Sequence, residues 1–523
     1  MSLPTLPREN SWDLIAREGP DFVHAFKMMD FLRQSIASAA RAGYTRRVSS
    51  FWEGQRRQTT LALFRKLAKS LPAYRRFLRA RGIDPKVIKN FRDLEKLPST
   101  SKDNYFQKYP LDLLTWQGGF GRDSLVFTST SGSTGQPTYF LRNHDIDWQY
   151  SVLAEDFLSR GRSGATLLID CFGMGVWIGG LITYQAFRFA GLRGFSVSII
   201  TPGINKQEIF HALSELAPRF ESVILAGYPP FLKDILEEAA SNQVSLRHLR
   251  LRLLFAAEGF SELFRENLCK LAGIRDLYRD TLNIYGSAEA GAMAFETPTS
   301  IFLRRLATRR RDFFRALFGQ NEKLPTLAQY NPQFINFDSP EGLILISADS
   351  GTPLFRYRIG DRGGVIPFSQ VVEIGRALKL DLEGLLKRAR LPVIRLPFVY
   401  VFERDDFSTK LYGSLIFPEH IRQALQTPRL AKHFTGKFTM QTKLDGRQNQ
   451  YLELNLELRP RQRFSAGLRK LCGKQVVKSL LAHNAEYRNN YTQIPARVTP
   501  KIVAWTYEHP RYFKPGVKQR WVR

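Results

Sequence analysis

A chain of 523 residues, 43% hydrophobic and 24% charged, excludes a disordered protein and is too long for one simple core, so two or more domains are expected. Its three cysteines, Cys171, Cys269 and Cys472, are odd in number and far apart, which excludes a disulfide framework or a zinc-ligand pattern and suits a reducing compartment. The net charge of +29 is spread along the whole chain and exceeds what nucleotide binding requires; it reflects either a general basic bias or attraction to something acidic, such as a carrier protein, a membrane surface or nucleic acid.

The start, "MSLPTLPREN", has no basic region followed by an apolar core, so no signal peptide is expected. Residues 50–95 place apolar side chains at three- and four-residue spacing and read as helical. From 120 to 290 short apolar runs at 167–169, 196–200, 222–226 and 251–256 alternate with helical segments at 205–216 and 230–241. That alternation predicts α/β layering with largely parallel sheets. The apolar run 171–184, "CFGMGVWIGGLITY", is too short to cross a bilayer and reads as a buried element or pocket wall. Residues 300–329 break the alternation with a basic amphipathic helix, read as a surface insertion packed by its aromatic side or as a docking face for a membrane or acidic partner. Short strands return at 335–366. A second domain is expected from about 403, with a hairpin at 437–458 turning at Asp445–Gly446, a basic helix near 461–482, and a final loop carrying Lys514 and Lys518. No internal repeat or low-complexity tract is present.

One stretch carries chemistry on its face. Residues 128–137, "TSTSGSTGQP", lie between two strand-like runs, where linkers seldom sit. A P-loop of the Walker type needs a Gly-Lys-Ser/Thr ending, and no lysine is present. The remaining reading is a hydroxyl-lined loop in which glycines let backbone N–H groups approach phosphate oxygens.

This stretch resembles the phosphate loop of adenylate-forming enzymes, the superfamily of acyl-CoA synthetases, adenylation domains and luciferases. Three further stretches resemble that superfamily in the same order: "NIYGSAEAG" (283–291), "FRYRIGDRG" (355–363) and "ERDDFSTKLYGSLIFPEHI" (403–421). The lead-in at 73–105, Thr138 after the loop proline, and "LAQYNPQF" (327–334) resemble the phenylacetate–CoA ligase and capsular-polysaccharide-type branch. The likeness covers about residues 50–523, with 300–329 as an apparent insertion. It implies an α/β fold: a large N-terminal adenylation domain of layered sheets and helices over 1–402, with a helical lead-in to about 110, and a small mobile α+β domain over 403–523.

The resemblance also implies a two-step reaction. A carboxylic acid and ATP give an acyl-adenylate and pyrophosphate; a thiol, from coenzyme A or a carrier protein's phosphopantetheine, then takes the acyl group. By the same resemblance Thr130, Ser131, Gly132, Ser133, Thr134 and Gly135 would wrap the phosphates. Glu289 would hold Mg²⁺, Tyr285 would stack on adenine with Gly286 leaving space, and Ser287 would lie nearby. Glu258 and Gly259 would sit beside the adenine, Asp361 would accept from both ribose hydroxyls, and Arg404 would reach the nucleotide. Asp406, or Asp405 one residue earlier, would lie at the hinge. Lys518 would be the adenylation lysine, with Lys514 as the alternative. One departure stands out: where the superfamily usually has a hydroxyl residue before the glutamate, this chain has Ala288. The acyl pocket is expected among 172–180, 226–232 and 255–260, with Trp177 and Tyr228 equally compatible with plain core packing. Transfer to an amine or sugar, and a catalytically weak scaffold for an acidic partner, are the alternative readings. Nucleic acid is not expected, and a cytoplasmic setting, with a place at a membrane surface left open, completes the expectation.

Overall fold

The computed structural model describes residues 44–120, 125–130, 138–161, 164–175, 178–320, 324–404 and 408–513. Strands β1 (Val126–Thr130) and β2 (Thr138–Arg142) form an antiparallel pair on either side of the hydroxyl-rich loop, whose own residues 131–137 lie outside the described set. The expected apolar runs become β3 (Thr166–Asp170), β4 (Val197–Ile200), β5 (Ser222–Gly227) and β6 (Leu251–Ala256). They pair in parallel with one another and with β7 (Thr281–Ser287), in the spatial order β4-β3-β5-β6-β7. β3, β5 and β6 are buried along nearly all their length, and strands so buried are rich in apolar residues, which is why the sequence shows them.

The sheet does not stop there. It takes in β8 (Gly291–Phe295), β9 (Thr326–Gln329), β10 (Ile335–Asp338), β11 (Leu343–Ala348), β12 (Leu354–Ile366) and β13 (Phe398–Arg404), reaching eleven strands. Beyond β7 their spatial order is β8-β9-β13-β12-β11-β10, and this second half is antiparallel. The expectation of largely parallel sheets therefore holds only for the first half. Short hairpin connections join β10 to β11 and β11 to β12, while the helices Phe368–Ala377 and Leu382–Arg388 lie between the antiparallel neighbours β12 and β13.

The C-terminal lobe begins with the hairpin β14 (Thr409–Leu411) and β15 (Ser414–Ile416). A second sheet follows, of β16 (Phe434–Leu444), β17 (Gln450–Leu458) and β18 (Lys501–Trp505), covered by the helix Ala466–His483. The β16–β17 hairpin turns at Asp445, whose carboxylate accepts from the N–H groups of Arg447 and Asn449 at 2.8 Å each. Leu411, Ile416, Leu454 and Cys472 of this lobe share one buried apolar cluster with Leu225, Phe231 and Ile235 of the large body.

The basic segment near 300 is built into the body. A capping box of Thr297 and Ser300 starts the helix Pro298–Arg309, and the helix Arg311–Phe318 follows. Phe313, Leu317 and Phe318 pack on Leu327, Phe368 and Phe398. Arg304 is 2% exposed, donates to the Pro325 carbonyl at 2.8 Å and pairs with Glu262, while Arg305 pairs with Glu266 at 2.7 Å. Arg265 closes the network by pairing with Glu262 at 3.0 Å and Glu296 at 2.6 Å. The segment's aromatic side faces inward, and its first two arginines are committed to internal partners. Among the described residues no helix is long and apolar enough to cross a membrane. All three cysteines are buried and free, and burial pushes the thiols up, to about 12 for Cys269 and Cys472, so none is a ready nucleophile.

One buried histidine makes stability depend on acid. His420 is 1% exposed, neither ring nitrogen has a hydrogen-bond partner among the described residues, and the ring stacks on His483 at 6.4 Å. Burial first, and His483 second, lower its pKa to about 4, with Glu419 opposing. Above pH 6.5 the ring is neutral in the folded and unfolded chain alike. As pH falls through 6.5 towards 4 the unfolded chain takes up the proton first, and up to about 3 kcal/mol of stability is lost. His420→Leu should therefore narrow the gap between Tm at pH 8 and at pH 5. An unchanged gap would exclude His420 as the source.

Candidate active site

A cavity of about 670 Å³ opens at the carboxyl ends of the parallel strands, where α/β sheets commonly bind ligands. The turn between β7 and β8 supplies Gly286, Ser287, Ala288 and Glu289 to its wall. Strand β12 supplies Arg358, Gly360 and Asp361, and β1 supplies Ser129. Its inner end is apolar, with Phe172, Ile178, Ile182, Tyr228 and Ile284 around a hydrogen-bonded pair, Tyr150 and Thr183, at 2.9 Å. Beneath this end Asp170 is fully buried. One of its carboxyl oxygens accepts from the Phe172 N–H at 3.2 Å, and the other has no hydrogen-bond partner among the described residues. Burial holds the carboxyl well above the usual range.

Glu289, Gly286, Ser287 and Asp361 are thus brought to one cavity by β7 and β12, strands with β8, β9 and β13 between them in the sheet. Tyr285 donates its hydroxyl to Asp361 Oδ2 at 2.6 Å, and its ring stacks with Phe337 at 6.3 Å. The tyrosine therefore aims the carboxylate. Gly286 has a backbone reason of its own: a Cβ there would lie 2.7 Å from the Gly291 carbonyl oxygen across the β7–β8 turn. Thr128, at the head of the hydroxyl run, steadies the same turn by donating to the Ala288 carbonyl at 3.4 Å. Thr130 ends β1 in register with Thr138, and Arg404 ends β13 in register with Asp361. Ser131, Gly132, Ser133, Thr134, Gly135, Trp177, Asp405, Asp406, Lys514 and Lys518 lie outside the described residues.

Glu258 and Gly259 are placed differently. Ala256 and Ala257 line the cavity, whereas the buried Glu258 carboxylate accepts from the Gly413 N–H at 2.5 Å and from Gln450 Nε2 at 2.7 Å. Burial raises its pKa, and these two donors and Lys410 oppose the rise. Gly259 stands against Thr326.

Several wall residues escaped the sequence reading. Ser101, Lys102 and Asp103 enter from the N-terminal lead-in because Thr100 is stitched to β12. The Thr100 N–H donates to the Arg356 carbonyl at 3.1 Å, the Arg358 N–H donates to the Thr100 carbonyl at 2.8 Å, and the Thr100 hydroxyl donates to the Phe355 carbonyl at 2.9 Å. Lys410, Gly413, Phe417, Glu419 and Glu486 enter from the C-terminal lobe. The only local signal for the first group is the Ser101–Asn104 capping box, which marks a helical turn and not a site. Lys102, Arg358 and Lys410 give the wall cationic groups, and Glu289 and Asp361 give it carboxylates. Among the described residues no group of three His, Cys, Asp or Glu is arranged to hold a metal unaided. A single carboxylate such as Glu289 fits a hard cation that takes its other ligands from phosphate oxygens and water.

Two kinds of likeness bear on this arrangement. The phenylacetate-coenzyme A ligase of Thermus thermophilus is 26% identical over 222 residues, 42% of this chain and 46% of that protein. The phenylacetate-coenzyme A ligase of Aromatoleum evansii is 26% identical over 226 residues, 42% and 47% respectively. The matched part spans about half the length of these curated relatives. The crystal structure of 2-hydroxyisobutyryl-CoA ligase, in complex with 2-HIB-AMP and CoA in the thioesterification state, superposes with a TM-score of 0.61 at 15% identity. It covers 92% of this chain and 91% of that one. The fold is that of an adenylate-forming ligase. The sequence likeness to phenylacetate–CoA ligases accords with the branch named from the motifs. No protein-family profile matches the chain.

Proposed function

We propose that this chain is an AMP-forming acid–thiol ligase. It would join a small carboxylic acid to ATP, giving an acyl- or aryl-adenylate and pyrophosphate, and then pass the acyl group to the thiol of coenzyme A or of a carrier protein's phosphopantetheine. The observation that carries this reading is the meeting of Ser129, Glu289 and Asp361 around one cavity whose inner end is apolar.

In the first step two anions must approach, so catalysis needs fixed donors and cations where charge gathers. The residues from Thr130 to Gly135, with Ser129 in the wall, would meet the phosphates. Glu289 would share Mg²⁺ with them, and Asp361, aimed by Tyr285, would take the ribose hydroxyls. Arg404, in register with Asp361, would reach the nucleotide, and Lys518 would complete the first step. Mg²⁺ supplies charge neutralisation on the phosphates. Lys102 adds a cation to a wall in which Ala288 offers no hydroxyl. The apolar inner end suits an aryl or aliphatic acid. The net charge of +29 favours an acidic carrier protein as thiol donor, with a membrane surface as the other acidic neighbour.

The test is pyrophosphate release by the purified chain with ATP, Mg²⁺ and hydroxylamine across a panel of aryl and fatty acids. Release that depends on one class of acid is expected. No release with any acid, together with ATP binding that ignores Mg²⁺, would replace this reading with that of a binding scaffold.

A further inference from the structure

Two helices of the large body bring hydroxyls to the apolar end of the cavity. The helix His144–Arg160 is fixed to the sheet by Gln149, whose Nε2 donates to the Ala292 carbonyl of β8 at 2.8 Å, and it carries Tyr150 to the wall. The helix Ile178–Leu192 contributes Ile178, Gly179, Ile182 and Thr183, which share one helical face. Tyr150 is 2% exposed and Thr183 1%, and their hydroxyls bond to each other at 2.9 Å. Each hydroxyl is one donor and a double acceptor, so the mutual bond consumes only one of the pair's O–H groups. The other donates to none of the described residues. Tyr228, in the same wall, is different: the Gly173 backbone already bonds to its hydroxyl. Asp170 does not border the cavity.

Gly179 marks the same end. Glycine inside a helix is costly relative to alanine. At Gly180 the fold demands it, since a Cβ would lie 2.8 Å from the Gly173 carbonyl oxygen. At Gly179 a Cβ would meet Phe172 first, at 3.5 Å, an ordinary contact. Packing does not require the glycine there, and what it leaves is room in the cavity beside the Phe172 ring. Phe172 and Tyr228 stand edge to face, with centroids 5.3 Å apart and planes at 77°, a wall that suits a flat ring.

We propose that Tyr150 and Thr183 are specificity-determining residues and that the acid is an aryl acid carrying a ring hydroxyl. The ring would lie in the room left by Gly179, with its hydroxyl on the Tyr150–Thr183 pair and its carboxyl towards the β7–β8 turn. The inference rests on the ligase reading above and names its substrate class. A plain aryl acid would strip water from the pair and leave a buried O–H unpaired, whereas a ring hydroxyl would accept from it.

The experiment gives the full chain three matched pairs: 4-hydroxyphenylacetate and phenylacetate, 3-hydroxybenzoate and benzoate, 4-hydroxybutyrate and butyrate. The readouts are acid-dependent pyrophosphate release with ATP, Mg²⁺ and hydroxylamine, and binding of each acid by calorimetry. The hydroxylated member of a ring pair should be favoured by about tenfold or more in kcat/KM. Tyr150→Phe and Thr183→Val keep the shapes and should bring that ratio near one, with Tm close to that of the parent. Gly179→Ala should raise KM for the ring acids while Tm holds or rises. A parent that favours the plain ring acid, or a ratio that neither hydroxyl variant moves, would overturn the proposal. A preference for 4-hydroxybutyrate over both ring pairs would overturn the aryl assignment. If no acid releases pyrophosphate, calorimetry separates the two readings: tighter binding of the hydroxylated ring acid, lost in Tyr150→Phe, would sink the ligase reading and keep the subsite, and no such preference would sink both.

Discussion

Alanine in place of Lys518 should lower acid-dependent pyrophosphate release by about two to three orders of magnitude, the usual cost of removing one preorganised group that meets developing charge. The first half-reaction brings a carboxylate onto a phosphate that already carries negative charge, so one well-placed ammonium matters more than the many solvated cations of a chain with net charge +29. Transfer from a preformed acyl-adenylate to coenzyme A should be nearly unchanged, because that step gains no comparable anion. The paired control is Lys514→Ala. If it collapses while Lys518→Ala does not, the role moves to the earlier lysine. If neither affects pyrophosphate release, the terminal segment has no part in adenylation.

The second large effect is expected at Glu289. Glu289→Gln keeps the shape and removes the charge, and should slow adenylation by about a hundredfold at a fixed Mg²⁺ concentration. Raising Mg²⁺ should recover part of that loss, since a carboxamide oxygen is a weaker ligand for a hard cation than a carboxylate. The turn that carries the residue is secured by backbone contacts: Thr128 donates to the Ala288 carbonyl, and the Ala290 N–H donates to the Ser287 hydroxyl at 3.3 Å. The substitution should therefore leave Tm close to that of the parent. A loss of rate with a matching loss of Tm, and no response to Mg²⁺, would make Glu289 a structural residue.

What the sequence makes legible follows from how local each signal is. Strands β3, β5 and β6 announce themselves because they are buried along nearly all their length, so 167–169 is wholly apolar and 222–226 and 251–256 are interrupted only by Ser222 and Arg252. Of the run from Thr128 to Pro137, only Thr128 to Thr130, the end of β1, fall within the described residues. Strands β10 to β13 alternate more weakly, and their antiparallel pairing, by short hairpins up to β12 and across two helices from β12 to β13, leaves no mark that a single segment can show. The wall residues missed by the sequence reading depend on partners far away in the chain. Lys102 reaches the cavity because Thr100 bridges to Tyr357, and Gly413 is held at the wall by the carboxylate of Glu258, 155 residues earlier. Gly286 was expected to clear room for a base; its nearest constraint is the Gly291 carbonyl, set by the β7–β8 turn.

The stitch between Thr100 and β12 has a consequence for the order in which the cavity wall assembles. Residues 101–103 and the stretch 410–419, far apart in the chain, both border the cavity, so its wall is finished only when the later stretch meets the earlier one. The eleven-stranded sheet is complete by Arg404 and can form beforehand. On a ribosome, a chain that has just folded its main sheet would present a half-walled cleft.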